Sequence, residues 1–226
     1  MTVPTPSLER KTPSRVESPS KRPRGRPRKT ADERDDGNRR HELLTAAARL
    51  FRRQGFDATS TRDIAAAVGM HSGSLFYHFN SKQALLFSVM EGGMHTAIER
   101  QTAALRNGEP SAQQPLAQLR RLVRAQFDIL LGPGNDFIPV MLYEQRSLNP
   151  AQKASLARLQ ADYERAWTPL LQALHASGRL RAPVTLSRLL ILGALNWSVQ
   201  WFDARKGASL DELTDAAVAL FFPEHL

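Results

Sequence analysis

The sequence predicts an all-α fold, with a three-helix, helix-turn-helix unit near the N-terminus followed by a longer helical domain. Three observations carry that prediction. The stretch from Ser60 to Phe79, STRDIAAAVGMHSGSLFYHF, has the layout of two short helices joined by a tight turn. From Leu116 to Phe221, apolar residues recur three or four positions apart, the period of a helix with one buried face. No segment shows the alternation of a half-buried strand, and there is no internal repeat.

Composition sets the outer limits. A chain of 226 residues buries enough surface to fold without disulfides, and with no cysteine it has neither a disulfide framework nor a thiolate nucleophile or metal ligand. The six histidines are scattered and none has metal or triad spacing, which argues against an enzyme and implies neither a metal nor a cofactor. The longest apolar run, Leu189 to Leu195, falls well short of the roughly 18 residues of a membrane span. The first residues also lack the apolar stretch of a signal peptide, so a cytoplasmic protein without a membrane segment is expected.

The net charge of +9 is uneven, with residues 1–40 holding twelve Lys/Arg against six Asp/Glu. Polyanion binding is the common use of such a basic tail. Six prolines between Pro4 and Pro27 interrupt any helix there, so residues 1–37 are expected to form a disordered tail. Within it, Lys21 to Lys29 carries the core Arg24-Gly25-Arg26-Pro27, which resembles an AT-hook, an element whose arginines lie in a narrow A/T-rich minor groove. The competing reading is a basic tail that raises general DNA affinity.

The first helix is expected from about Asn38 to Gln54. Leu43, Leu44, Ala47, Leu50 and Phe51 form its buried face, Gly55 ends it, and its arginines, Arg39, Arg40, Arg49, Arg52 and Arg53, are candidates for phosphate contacts. Ser60 with Asp63 makes a capping box for the second helix, and Gly69 supplies the turn. The third helix starts near Ser72 with Leu75 and Phe79 inward, leaving small and hydrogen-bonding side chains outward. Such a helix fits the DNA major groove.

A long helix follows from about Ser81 to Leu105, interrupted by Gly92-Gly93, either a pivot or a packing kink. After it come helices over Leu116 to Leu130, Phe137 to Leu148, Asn149 to Gly178, Thr185 to about Ala204, and one capped by Ser209 with Glu212. Asn149 is a cap with Pro150 at the first helical position. The segment Leu189 to Phe202 is apolar on most sides and must be covered all round. Its amides Asn196 and Gln200, one turn apart, need partners.

From Arg39 to Leu86 the chain resembles the N-terminal domain of the TetR family of bacterial transcriptional regulators. Ala48-Arg49-Leu50-Phe51, Gly55-Phe56, Thr59 to Ala65, Gly69, Gly73 to Phe79, and Ser81-Lys82 with Leu85 carry the resemblance. It implies three parts: a tail (1–37), a DNA-binding domain (38–86), and a helical effector-binding and dimerisation domain (87–226). It assigns DNA contacts to Thr61, Arg62, Ser72, Gly73, Ser74, Phe76, Tyr77 and Lys82, joined by Arg24 and Arg26 if the tail is a hook. Phe76 stands where the family usually has a tyrosine that binds phosphate, and His71 replaces the usual serine cap. The last two long helices should pair across a two-fold axis, for which Leu189, Gly193, Ala194, Ala216 and Ala217 are suited.

Effector binding is expected among Tyr143, Arg146, Tyr163, Trp167, Asn196 and Gln200. The segment Tyr143 to Arg146, followed by Leu148 and Pro150, resembles regulators that sense acyl-CoA thioesters. A long-chain or polycyclic thioester would place its phosphates near Arg120, Arg121, Arg124 or Arg146, with a smaller lipophilic effector as the rival. The implied function is a ligand-responsive repressor that binds a roughly palindromic operator as a homodimer. The alternative is an architectural protein spread over A/T-rich DNA without an effector.

Overall fold

The computed structural model describes Met1 and residues 31–106, 114–132, 134 and 136–223, with side chains from residue 36 onward in the first helix. The basic run Lys21 to Lys29, with Arg24 and Arg26, lies outside the described residues. Every regular element among the described residues is helical: α1 (Ala31–Ala58), α2 (Thr61–Ala67), α3 (Ser72–His78), α4 (Lys82–Arg106), α5 (Pro115–Leu131), α6 (Phe137–Glu144), α7 (Pro150–Arg165), α8 (Thr168–Ala176), α9 (Val184–Trp197) and α10 (Leu210–Phe221). Short 3-10 turns follow α6 and α9 and precede α10.

The caps fall where the residues dictate. Ser60–Asp63, Asn149–Gln152 and Ser209–Glu212 each form a reciprocal capping box at the start of α2, α7 and α10. His71 makes no side-chain cap bond at α3.

Four of the expected helices differ in extent. Helix α6 stops at Glu144 and tightens into a 3-10 turn at Gln145–Ser147, where Phe137 to Leu148 was expected. Helix α1 is described from Ala31, ahead of the expected start at Asn38, and it runs past Gly55 to Ala58. Gly55 is still the break, with φ 79° and ψ 164°, and a single turn resumes beyond it. The helix expected over Asn149 to Gly178 is two, because Pro169 in the first turn of α8 cannot donate into a continuous ladder. Helix α9 stops at Trp197 and tightens into a 3-10 turn at Ser198–Gln200, short of Ala204.

Two apolar clusters hold the helices. One joins Leu43, Phe51, Ile64, Leu75 and Leu85 to Met90, Met94, Ile138, Met141, Leu156 and Tyr163, so it runs without a break across the expected boundary at residue 87. The other gathers Leu119, Leu122, Phe127, Trp167, Leu171, Ile191 and Leu195, with α10 laid over it through Leu213, Ala217 and Phe221. Arg120–Asp215 at 2.6 Å and Arg124–Asp211 at 2.7 Å fasten α10 to α5. The Arg120 bond holds the Asp215 carboxyl below its ordinary value.

Candidate DNA interface and effector cavity

The α2–α3 motif is small and held by local contacts. Ile64, Ala65, Leu75 and Phe79 are buried beneath it, and Gly69, at φ 68°, makes the turn. Ser60 hydrogen bonds hold the Asp63 carboxyl below its ordinary value, as its place in the cap requires. Arg62, Ser72, Gly73, Ser74, Phe76 and Tyr77 are exposed, and Thr61 is half-buried. Tyr77 is 81 % exposed and Phe76 51 %.

Lys82 departs from its expected place. Its ammonium donates to the carbonyls of Phe56 and Thr59, both at 2.8 Å, and sits 4.2 Å from the centre of the Phe56 ring. It ties the start of α4 to the end of α1 and to the loop before α2. Several basic residues of α1 are engaged as well. Arg39 pairs with Glu42 at 3.0 Å, Arg40 lies 4.8 Å over the Phe79 ring, and Arg52 pairs with Asp136 at 2.9 Å. Arg49 and Arg53 are exposed.

Helix α6 is fastened to the reading unit on several sides. The Glu144 carboxylate, from its last turn, accepts the Phe56 N–H at 3.2 Å, just past the Gly55 kink. Arg52–Asp136 closes the other end, and Gln83 donates to the Ser147 carbonyl at 2.7 Å. Phe137 presses on Gly93 so closely that a Cβ there would lie 2.0 Å from its ring. Gly93 is therefore a packing contact, while Gly92 faces open space.

The opposite side of α6 lines a cavity of about 90 Å³. Met94, Ala97, Ile129, Ile138, Met141, Leu142 and Leu192 make it apolar, and Gln126, Gln160, Tyr163, Glu164 and Asn196 make it polar. The Tyr163 hydroxyl donates to the Gln126 carbonyl oxygen, and the Gln126 amide donates to Asn196 Oδ1 at 2.6 Å. Burial pushes the Tyr163 phenol well above its ordinary value, keeping it a neutral donor. With its amide oriented to satisfy both neighbours, Gln101 donates to the Tyr163 carbonyl at 3.0 Å and accepts from Trp167 Nε1 at 2.9 Å. Glu164 is held by Arg188 at 2.5 Å.

Of the residues expected to bind an effector, Tyr163 and Asn196 line this cavity. Trp167 is fully buried in the second cluster and acts as core. Tyr143 on α6 and Gln200 in the turn after α9 are hydrogen-bonded to each other and do not line this cavity, and Arg146 is exposed in the turn after α6. Arg120 and Arg124 face the acids of α10 rather than a ligand. Gln126 and Gln101 were missed, although each interrupts a buried apolar stripe as Asn196 does.

Residues 43–89 match the family model described as bacterial regulatory proteins of the tetR family. Residues 112–223 match that of the tetracyclin repressor-like C-terminal domain. The chain belongs to the TetR family. The transcriptional repressor KstR2 of Rhodococcus jostii (strain RHA1) is 28 % identical over 175 residues, covering 76 % of this chain and 82 % of that protein. Among solved structures, superantigen PfiT is 34 % identical with a TM-score of 0.68, covering 82 % of this chain and 97 % of that one. AibR, in complex with isovaleryl coenzyme A and operator DNA, is 24 % identical with a TM-score of 0.74, covering 82 % and 98 %. At that identity the likeness to AibR is one of fold.

For a TetR-family chain, the outer face of α9 acquires a reason. Leu186, Leu189, Leu190, Gly193, Ala194 and Trp197 form one exposed stripe at helical spacing, and Ala216 and Leu220 are exposed on α10. Leu190 is 69 % exposed and Leu220 76 %, a face suited to burial against a second copy. Ala217 leaves that set, since it packs into the chain's own second cluster. No helix among the described residues is long and apolar enough to cross a membrane.

Proposed function

We propose that this TetR-family chain is a dimeric transcriptional repressor whose hold on a roughly palindromic operator is released by a short acyl effector, presented as a coenzyme A thioester. Residues 38–86 read DNA, and residues 87–226 bind the effector and dimerise. Arg62, Ser72, Gly73, Ser74, Phe76 and Tyr77 meet the major groove and its edges, Thr61 a phosphate, and Lys82 sets the angle of the motif. Two copies joined through α9 and α10 present two reading helices to successive major grooves, about 34 Å apart.

The observation that carries this reading is the double duty of α6. Ile138, Met141 and Leu142 line the cavity, and Glu144 on the same helix holds the Phe56 amide of the reading unit. A ligand that displaces α6 therefore changes the energy of the DNA-bound arrangement, which is the differential affinity that release demands. The cavity of about 90 Å³ has the volume of roughly three waters in the liquid. That favours a short branched acyl group over a long or polycyclic one. The amides of Gln126 and Asn196 suit a neutral thioester carbonyl, and the described lining holds no Lys or Arg to pair with a free carboxylate. The relatives' names support both halves: KstR2 is a repressor and AibR was solved with an acyl-CoA and operator DNA.

Footprinting on DNA from the protein's own promoter region, with and without isovaleryl-CoA, tests the proposal. Discrete protected sites that fade as the thioester is added are expected. Protection spread over A/T-rich DNA and indifferent to the thioester would instead support an architectural protein.

A further inference from the structure

A second pocket, of about 280 Å³, lies on the other side of α6, between that helix and the kinked end of α1. Phe51, Pro139, Val140 and Val199 give it apolar walls, with Arg52, Gly55, Tyr143 and Glu144 completing the lining. Its volume is about three times that of the effector cavity. Glu144 is 8 % exposed. One of its oxygens accepts the Phe56 N–H, and the other, Oε2, is buried without a hydrogen-bond partner among the described residues. A buried carboxylate oxygen left in this state is costly, and proteins satisfy such groups with a donor. The one guanidinium in the lining, from Arg52, is already engaged by Asp136 at 2.9 Å, so that rim pair is close to neutral and the carboxylate sets the sign of the pocket.

We infer that this junction is a second ligand site, taking a small organic ammonium ion with an apolar body. The ammonium pairs with the Glu144 carboxylate, and the body lies against Phe51, Val140 and Val199. The site is separate from the acyl cavity and does not depend on the acyl reading. Its occupant would sit directly against the bond between Glu144 and Phe56, so it has access to the same coupling from the opposite face of α6.

The test is calorimetry on the full chain with three probes of one shape: 2-phenylethylammonium, 2-phenylethanol and 3-phenylpropionate. The ammonium should bind once per protomer and about tenfold or more tighter than the alcohol, with no measurable heat from the carboxylate. Glu144→Gln should weaken the ammonium by about tenfold and erase its advantage over the alcohol. Val199→Phe, which fills the wall from a partly exposed position, should abolish binding of both. It carries the test alone if the Glu144 variant fails to melt cooperatively. Saturating isovaleryl-CoA should leave the ammonium stoichiometry unchanged, which separates this site from the cavity. No ammonium binding, equal binding of ammonium and carboxylate, or unaltered binding by Val199→Phe would overturn the proposal.

Discussion

The reading motif occupies twenty consecutive residues, Ser60 to Phe79, whereas the proposed effector cavity draws its lining from five helices, from Met94 on α4 to Asn196 on α9. The motif puts apolar residues inward and small polar ones outward, and local caps and a glycine turn fix it. The cavity does the reverse, holding amides and a phenol inside an apolar shell by a chain of side-chain hydrogen bonds. A site that must present a constant surface to DNA is made of local structure. One that must change shape with a ligand is assembled between helices, where small displacements of packed elements are possible. Helix α6 lines the cavity and also holds the Phe56 amide at the end of α1, just before the motif, and the proposed coupling runs through that contact.

The largest expected effect breaks the dimer and with it the use of two motifs at once. Leu190→Asp, on the exposed stripe of α9, should yield monomers by sedimentation and lower operator affinity toward the nonspecific level, by about a thousandfold or more. An undisturbed dimer would place the seam elsewhere.

Next is the fastening of the motif itself. Lys82→Met leaves the Phe56 carbonyl with only the Thr59 N–H and takes the Lys82 donor from the Thr59 carbonyl, at a cost of about 1–3 kcal/mol if the Thr59 group stays buried. The melting temperature should fall by about 2–4 °C per kcal/mol for a chain of this size. A variant as stable as the parent would return Lys82 to the role of a free phosphate contact.

A paired comparison separates the two regions. Tyr77→Ala should weaken operator binding by about tenfold or more, the scale of one lost contact, and affect thioester binding far less. Asn196→Leu should weaken thioester binding and affect the operator far less, because it removes the acceptor of the Gln126 amide inside the cavity. Measured affinities that move together in both variants would contradict the division of labour.

How much was legible follows the same contrast. The motif could be read because each signal lies within a few residues of its partner: Ser60 with Asp63, Gly69 at the turn, Leu75 with Phe79. The role of Lys82 could not, because its partners are 23 and 26 positions away and a lysine beside a reading helix suggests phosphate equally well. Asn196 was legible as a polar residue in need of a partner, but Gln126, 70 positions distant, was not identifiable as that partner. Trp167 and Tyr143 show the limit of aromatic residues as a signal, since one is core and the other does not line the cavity. The break at Pro169 could have been read from the proline rule.

The smallest effect is acid sensitivity, and it distinguishes the motif from the α10 fastening. Asp63, Asp215 and Glu212 have carboxyls held below their ordinary values by Ser60, Arg120 and Ser209. A carboxyl whose folded value is depressed contributes stability that is fully present above its unfolded value, near 4. That contribution is lost as pH falls through the folded value. Melting temperature should therefore be flat at neutral pH and decline below about pH 4, with a shallower decline in both Asp63→Asn and Asp215→Asn. Flattening in only one would show which region fails first in acid.

The coupling through α6 is tested most directly by operator affinity with and without isovaleryl-CoA, in the parent chain and in Glu144→Ala. The parent should lose about tenfold or more of its operator affinity when the thioester is added, a coupling of about 1.4 kcal/mol. Glu144→Ala lacks the carboxylate that holds the Phe56 amide, so it should still bind the thioester by calorimetry while its operator affinity shifts less than about threefold. A full parental response in Glu144→Ala would contradict the account and move the coupling to another contact.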